Sequence, residues 1–178
     1  VAAFEEEYPN VTVNLVNANG LLAVRPDGIV RTATYHVWDL YQNHTGPVHV
    51  PSRVDGPGWS AGVRQGDERR GDGSFRETPA VVGCLDASAS RSADGTTEHL
   101  AVINRSATDD VVARLVVPGA LPERVTVRTI GAGESDLFAV NTLGEERVTL
   151  TPPAQSLLDD GCHTFPAHSI TLLSWPRR

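Results

Sequence analysis

Long hydrophobic runs are missing from this 178-residue chain. No stretch approaches the roughly 20 apolar residues that crossing a bilayer requires, so no membrane partner is expected. The opening Val1 to Asn10 also lacks the basic-then-apolar order of a secretion signal. Cysteine is scarce: only Cys84 and Cys162 occur, far apart and without a CxxC spacing, which suggests neither a zinc site nor a redox motif. Cys84 lies in the apolar run Val81-Val82-Gly83-Cys84-Leu85, where a small buried thiol is the plainer expectation than a disulfide. Positive charge is also in short supply. Fifteen basic residues against twenty-two acidic ones leave a net charge of -7, which disfavours binding to phosphate backbones and excludes nucleic acid as an expected partner. The basic pair Arg69-Arg70 is flanked by Asp67, Glu68 and Asp72 and reads as a solvated loop.

What is present divides into three textures, and 40% hydrophobic residues suffice for a core. In residues 1 to 46, Gly20-Leu21-Leu22-Ala23-Val24 reads as a short buried strand and Pro26-Asp27-Gly28 as a turn. A helix follows over Thr34 to His44, capped by Thr32 or Thr34 and ended by Gly46-Pro47, with Tyr35, Trp38 and Tyr41 on the face expected to pack. Residues 51 to 79, rich in glycine, proline and charge with no apolar period, read as a long loop. From Pro79 onward, β-branched runs alternate with turn residues: Val81 to Leu85, Leu100 to Ile103, Val111 to Val117, Val125 to Ile130, Val148 to Leu150 and Ile170 to Trp175. Asp94-Gly95 is a hairpin signal. The pattern Val111, Ala113, Leu115, Val117 against Arg114 indicates sheets with one wet face. Six such runs close most readily as two packed antiparallel sheets, a β-sandwich of jelly-roll type.

Chemistry is thinly represented. Gly58-Trp59-Ser60-Ala61-Gly62 matches the G-x-S-x-G elbow in form, but it lacks the strand before and the helix after that hold such a serine in place. Histidines 36, 44, 49, 99, 163 and 168 show no HExxH or similar spacing, so no metal and no cofactor are expected. Glycoside hydrolysis needs two carboxyl groups across the scissile bond. The only dense acidic cluster near the start, Glu5-Glu6-Glu7, reads instead as hydrated charge at a helix N-terminus. Formal glycosylation sequons begin at Asn10, Asn43 and Asn104, and a turn role suits Asn104 at least as well.

Four stretches in order resemble one family. Val13-Asn14-Leu15-Val16-Asn17 with Gly20 to Val37 is similar to the end of the catalytic barrel of family 51 α-L-arabinofuranosidases. Cys84 to Ser90 with Leu100 to Ser106 looks like the first hairpin of that family's C-terminal domain. Ala139-Val140-Asn141-Thr142 and Pro166 to Leu173 resemble its later landmarks. The resemblance implies that residues 1–46 are the tail of a (β/α)8 barrel, a strand-helix remnant, and that residues 47–178 form the C-terminal β-sandwich. It further implies a retaining enzyme that removes arabinofuranosyl groups from arabinan, arabinoxylan or arabino-oligosaccharides, with both catalytic glutamates on barrel strands before Val1. No catalytic residue is therefore assigned here. Asn14 falls where some members place a substrate-binding glutamine. The partners implied are the rest of the barrel, the saccharide and other copies of the chain, and the localisation implied is cytoplasmic.

The leading reading is thus a non-catalytic structural domain. The competing one is a carbohydrate-binding module with Phe138, Phe165 and Trp175 as candidate platforms, though aromatics make up only 6% of the chain. A hydrolase built on Ser60 is the third.

Overall fold

The computed structural model describes residues 20–69, 75–131 and 136–177, and the side chains of residues 61–80 are outside that description. Asn14, Glu5 to Glu7, the Asn10 sequon, and the side chains of Arg69 and Arg70 therefore lie outside the described residues.

The described chain begins with a hairpin, β1 (Leu22–Arg25) and β2 (Gly28–Arg31), where a single strand was expected. The turn at Pro26-Asp27 returns the chain, so Ile29 pairs with Val24 and Val30 with Ala23. Ala23 and Val30 are buried on one face; Leu22, Val24 and Ile29 are exposed on the other.

Helix α1 (Ala33–Asn43) follows at once. Thr32 is its cap: the Oγ1 accepts from the Tyr35 N–H at 3.3 Å and donates to the Gly20 carbonyl at 2.7 Å, satisfying an orphan donor and fixing the entry of the helix. The last turn closes when the His44 N–H donates to the Leu40 carbonyl, ahead of Gly46-Pro47. The buried face is not the expected aromatic one. His36 and Leu40 are buried, with Val37 and Tyr41 packed beside them, whereas Trp38 is 53% exposed. Leu40 reaches the sheet and fixes the helix rotation, so the aromatic three residues apart from Tyr35 and Tyr41 turns to solvent.

A six-stranded antiparallel sheet forms the middle layer. Its strands are β3 (Val48–Val50), β6 (Leu85–Arg91), β7 (Thr97–Asn104), β9 (Arg124–Ile130), β10 (Ala154–Leu157) and β12 (Ser169–Pro176), in the order β10-β9-β12-β7-β6-β3. Strands β8 (Val111–Arg114) and β11 (Cys162–Phe165) pair into a smaller sheet over one face. Between the two sheets lies a core of Val102, Val125, Leu158, Phe165, Leu173 and Trp175. On the opposite face α1 packs its Leu40 against Ala101, Ile130 and Leu172. Strand β12 serves both cores, with Leu172 and Leu173 pointing to opposite sides and both fully buried. That is why its sequence, Ile170-Thr171-Leu172-Leu173-Ser174-Trp175, reads as a nearly continuous apolar run and not as an alternation. The expected antiparallel two-sheet architecture is thus present, with Asp94-Gly95 at the β6–β7 turn and Gly95 at φ +75°.

The segment 51–79 departs from expectation. Among its described residues, 51–57 are the irregular ones. Strands β4 (Gly58–Arg69) and β5 (Phe75–Gly83) then form a long antiparallel ribbon, a two-stranded sheet of its own. Alternation marks a strand with one dry face, and a ribbon wet on both sides does not need it. Consistently, the exposed residues at its base include Trp59, Ser60 and Val81. At that base the Cys84 N–H donates to the Pro57 carbonyl at 2.9 Å, where the chain leaves the ribbon for β6.

Candidate functional site

Carboxyl groups are the first requirement for glycoside hydrolysis, and in this structure many are tied to arginines. Glu146 binds Arg31 through two hydrogen bonds, of 2.8 and 3.1 Å. Glu98 accepts from Arg91 at 2.9 Å with Arg177 at 3.6 Å, and Asp55 holds Arg53 at 2.7 Å. Asp86 pairs with Arg105, and Asp160 with Arg114. Asp94 is held down to about 2 by hydrogen bonds from Ser92 and Thr96 at the β6–β7 turn. An acid catalyst requires the reverse shift, so Asp94 is a turn residue.

A cavity of about 480 Å³ opens between the two sheets, floored by Leu85, Leu100, Val102, Leu115 and Trp175. Glu98 and Asp55 line it, but their arginine partners neutralise both. The cavity thus has an apolar floor with charged residues such as Arg53, Arg91 and Arg177 in its lining, and both of its carboxyl groups are paired with arginine.

The other sequence candidates separate in the same way. Ser60 lies near the start of β4 opposite Val81, with no strand-to-helix elbow around it. Among the described residues, no three histidines, cysteines or acidic residues are grouped to hold a metal ion. His99 meets the Ser174 hydroxyl at 2.9 Å, His163 stacks edge-on against Phe165, and His168 meets the Ala107 carbonyl at 3.0 Å. Burial holds His99 and His163 below the ordinary imidazole range. His44 stands 3.8 Å from Asp39, and His36 is buried apart from it on α1. Cys84 and Cys162 are unbonded thiols, each partly exposed, so Cys84 is not the buried thiol its apolar flanks suggest. Phe165 and Trp175 are core residues; of the three proposed platforms, only Phe138 is exposed.

The surface that does stand out is apolar. Leu22, Val24 and Ile29 form the exposed face of the β1–β2 hairpin, and the segment 136–146 is fastened beside it. Asn141 is the fastener: its Nδ2 donates to the carbonyls of Arg31 at 2.9 Å and Val148 at 2.8 Å, and its Oδ1 accepts from the Val148 N–H. The Arg31–Glu146 pair closes the same junction, and the Leu143 side chain lies against Gly28, where a Cβ would sit 2.7 Å from it. Leu137, Phe138, Val140 and Leu143 are all exposed there, Phe138 by 89%. Sequence reading named Asn141 only as part of a landmark; its burial among backbone groups carries no periodic signal.

Comparison with known proteins places this architecture. A family profile described as "Alpha-L-arabinofuranosidase C-terminal domain" matches residues 12–169. The chain belongs to that family. Solved structures agree in fold. The thermostable GH51 α-L-arabinofuranosidase of Thermotoga petrophila superposes with a TM-score of 0.69 at 24% identity, over 88% of this chain and 31% of its own. A second arabinofuranosidase crystal structure gives 0.70 at 26% identity, over 90% and 32%. The arabinose complex of the Thermotoga maritima α-L-arabinofuranosidase gives 0.69 at 24%, over 89% and 32%. The chain therefore spans about a third of the length of these proteins. No curated protein matches it in sequence.

Within this arabinofuranosidase C-terminal domain, the stretches that resembled the family occupy defined places. Leu100 to Ser106 ends at Asn104, which is buried and donates to the carbonyls of Asp109 and Phe165 while accepting from the Ser106 N–H. Its sequon is consumed by the turn, so the side-chain amide is not free for modification in the folded domain. Pro166 to Leu173 leads into the central strand β12, and Ala139 to Thr142 is the Asn141 fastener.

Proposed function

We propose that this chain is the non-catalytic C-terminal domain of an enzyme that hydrolyses terminal α-L-arabinofuranosyl groups from arabinan- or arabinoxylan-type saccharides. Catalysis belongs to a barrel formed by the preceding part of that enzyme, with residues 1–46 as the barrel's last segment. Residues 47–178 form the sandwich that packs against it. In this reading Asn14 lies toward the substrate end of the barrel, and the whole enzyme works in the cytoplasm.

The observation that carries the proposal is the exposed face of the β1–β2 hairpin. Leu22, Val24 and Ile29 lie on water beside Leu137, Phe138, Val140 and Leu143. Exposed apolar side chains gathered on one hairpin face mark an interaction site. Burying one such side chain fully contributes about 1.5–3 kcal/mol, so several together hold a domain in place. The hairpin belongs to the segment assigned to the barrel, which supports the barrel as the occupant.

Substituting Ile29→Asp together with Phe138→Asp tests this in the full-length enzyme. The account expects the full-length variant to lose thermal stability and arabinofuranosidase activity, while the same changes shift the isolated chain by only about 0.5 kcal/mol, as for other exposed positions. Unchanged activity and melting temperature of the full-length variant would contradict it.

A further inference from the structure

His36 is the one described side chain whose polar atom is both buried and without a hydrogen-bond partner. It is 5% exposed, and its Nε2 makes no hydrogen bond. It lies on the packed side of α1 one turn before Leu40, the residue that seats the helix on the sheet. Tyr35 stands edge-on to its ring with 5.4 Å between centroids. The charged groups around it come from three elements: Arg31 at the end of β2, Glu146 from the segment fastened to it, and Asp39 from α1 itself. Glu146 already makes its two bonds to Arg31. The sheet face under the helix offers Ala101, Ile130, Ile170 and Leu172 to the adjoining core, with Val148 and Leu150 packed against it, and none of these can pair with the ring.

We propose that His36 is a pH-sensitive latch, whose neutral ring allows the hairpin and helix of residues 22–43 to dock on the sheet and whose protonation releases them. A neutral imidazole with one unpaired nitrogen costs a lost hydrogen bond; a charged one in the same place is a desolvated ion with no hydrogen-bonded counter-ion at Nε2, which is far more expensive. Attraction to Glu146 and Asp39 opposes repulsion from Arg31, and desolvation is the dominant influence, holding His36 below the ordinary imidazole range. The sign follows from linkage. The undocked state, with its imidazole near the ordinary value of about 6.5, binds the proton more readily than the docked state, so docking is fully favourable above that pH and weakens as pH falls below it. Weakening continues until the docked-state value is reached.

The test is hydrogen exchange on the whole chain between pH 7.5 and 5. The protection of α1 amides is read relative to β9 amides in the same sample, which cancels the pH dependence of intrinsic exchange. The expected ratio falls by up to about tenfold per pH unit below about 6.5, and His36→Gln, which cannot ionise, removes the dependence. Should that variant fail to fold, the proton resonances of the His36 ring in the unaltered chain decide. A titration midpoint below that of an unfolded histidine, accompanied by release of α1, supports the latch. A ratio that stays flat, a His36→Gln protein as acid-sensitive as the original, or a His36 midpoint at or above the ordinary value overturns it.

Discussion

Asn104 and Asn141 bind backbone together at opposite places in the domain, and neither role has a counterpart in hydrophobic pattern. Asn104, almost wholly buried, holds the β7 exit to the turn at Asp109 and to β11 at Phe165. Replacing it with alanine leaves the buried Phe165 carbonyl, and the less buried Asp109 carbonyl, without their donor, at a cost of about 1–3 kcal/mol for a buried group. Asn104→Ala should therefore lower stability by roughly 2–4 kcal/mol in urea denaturation; a loss under about 0.5 kcal/mol would mean that water replaces the amide. Sequence reading placed Asn104 in a turn because asparagine bonds its own backbone readily, and this is what it does through the Ser106 N–H. The same reasoning failed for Trp38, because three aromatics at helical spacing announce a face without saying which way the helix is rolled. Leu40 and His36 decide that, by contacts distant in sequence. Partly buried His99 and His163 follow the sign given for His36. Both are held low by burial, so the unfolded chain takes up their protons first and global stability should decline as pH drops below about 6.5.

Elements with a long apolar run on a dry face were legible; those without a dry face, and the short β11 whose one deeply buried residue is Phe165, were not. Strands β7, β9 and β12 follow their apolar runs, because each packs at least one side into a core. The β4–β5 ribbon has the sequence texture of a loop because its backbone pairs while both sides at its base stay wet. Strand β10, Ala154-Gln155-Ser156-Leu157, is a mostly exposed edge of the large sheet, and polar edges resemble turns in sequence. The reverse error occurred at Val148 to Leu150, which forms a single bridge between Leu150 and Ile130 and turns its apolar residues toward α1 without extending a strand. Connections between elements are equally specific. At Gly46, where α1 gives way to β3, an added Cβ would stand 2.0 Å from the Arg91 carbonyl oxygen. Because backbone is in the way, no side chain can rotate to make room. Gly46→Ala should destabilise the domain by about 2–4 kcal/mol, a size reserved for such local clashes. A melting temperature equal to that of the unaltered chain would show that the two backbones are further apart in solution.

At the scale of the whole molecule, one sheet is covered by a smaller sheet on one side and by a helix on the other, and a hairpin with an uncovered apolar face extends from the helix. Architecture and family were both readable, because the strand runs and the four landmark stretches occur in order. The docking surface was readable only in part: the need for a partner was expected around Tyr35, Trp38 and Tyr41, while the exposed face lies chiefly on β1–β2 and residues 137–143. Without its partner, that face should drive weak self-association. Sedimentation of the isolated chain should show mass rising with concentration, and Ile29→Asp should suppress the rise. A monomer at every concentration would argue that the surface is too small or too interrupted to bind. The central claim, that this domain supports an arabinofuranosidase without carrying its chemistry, is tested most directly by hydrolysis of a chromogenic α-L-arabinofuranoside by the purified 178-residue chain beside the full-length enzyme. Turnover is expected from the full-length enzyme and none from the chain alone; turnover by the chain alone would place the catalytic groups within it and overturn the proposed role.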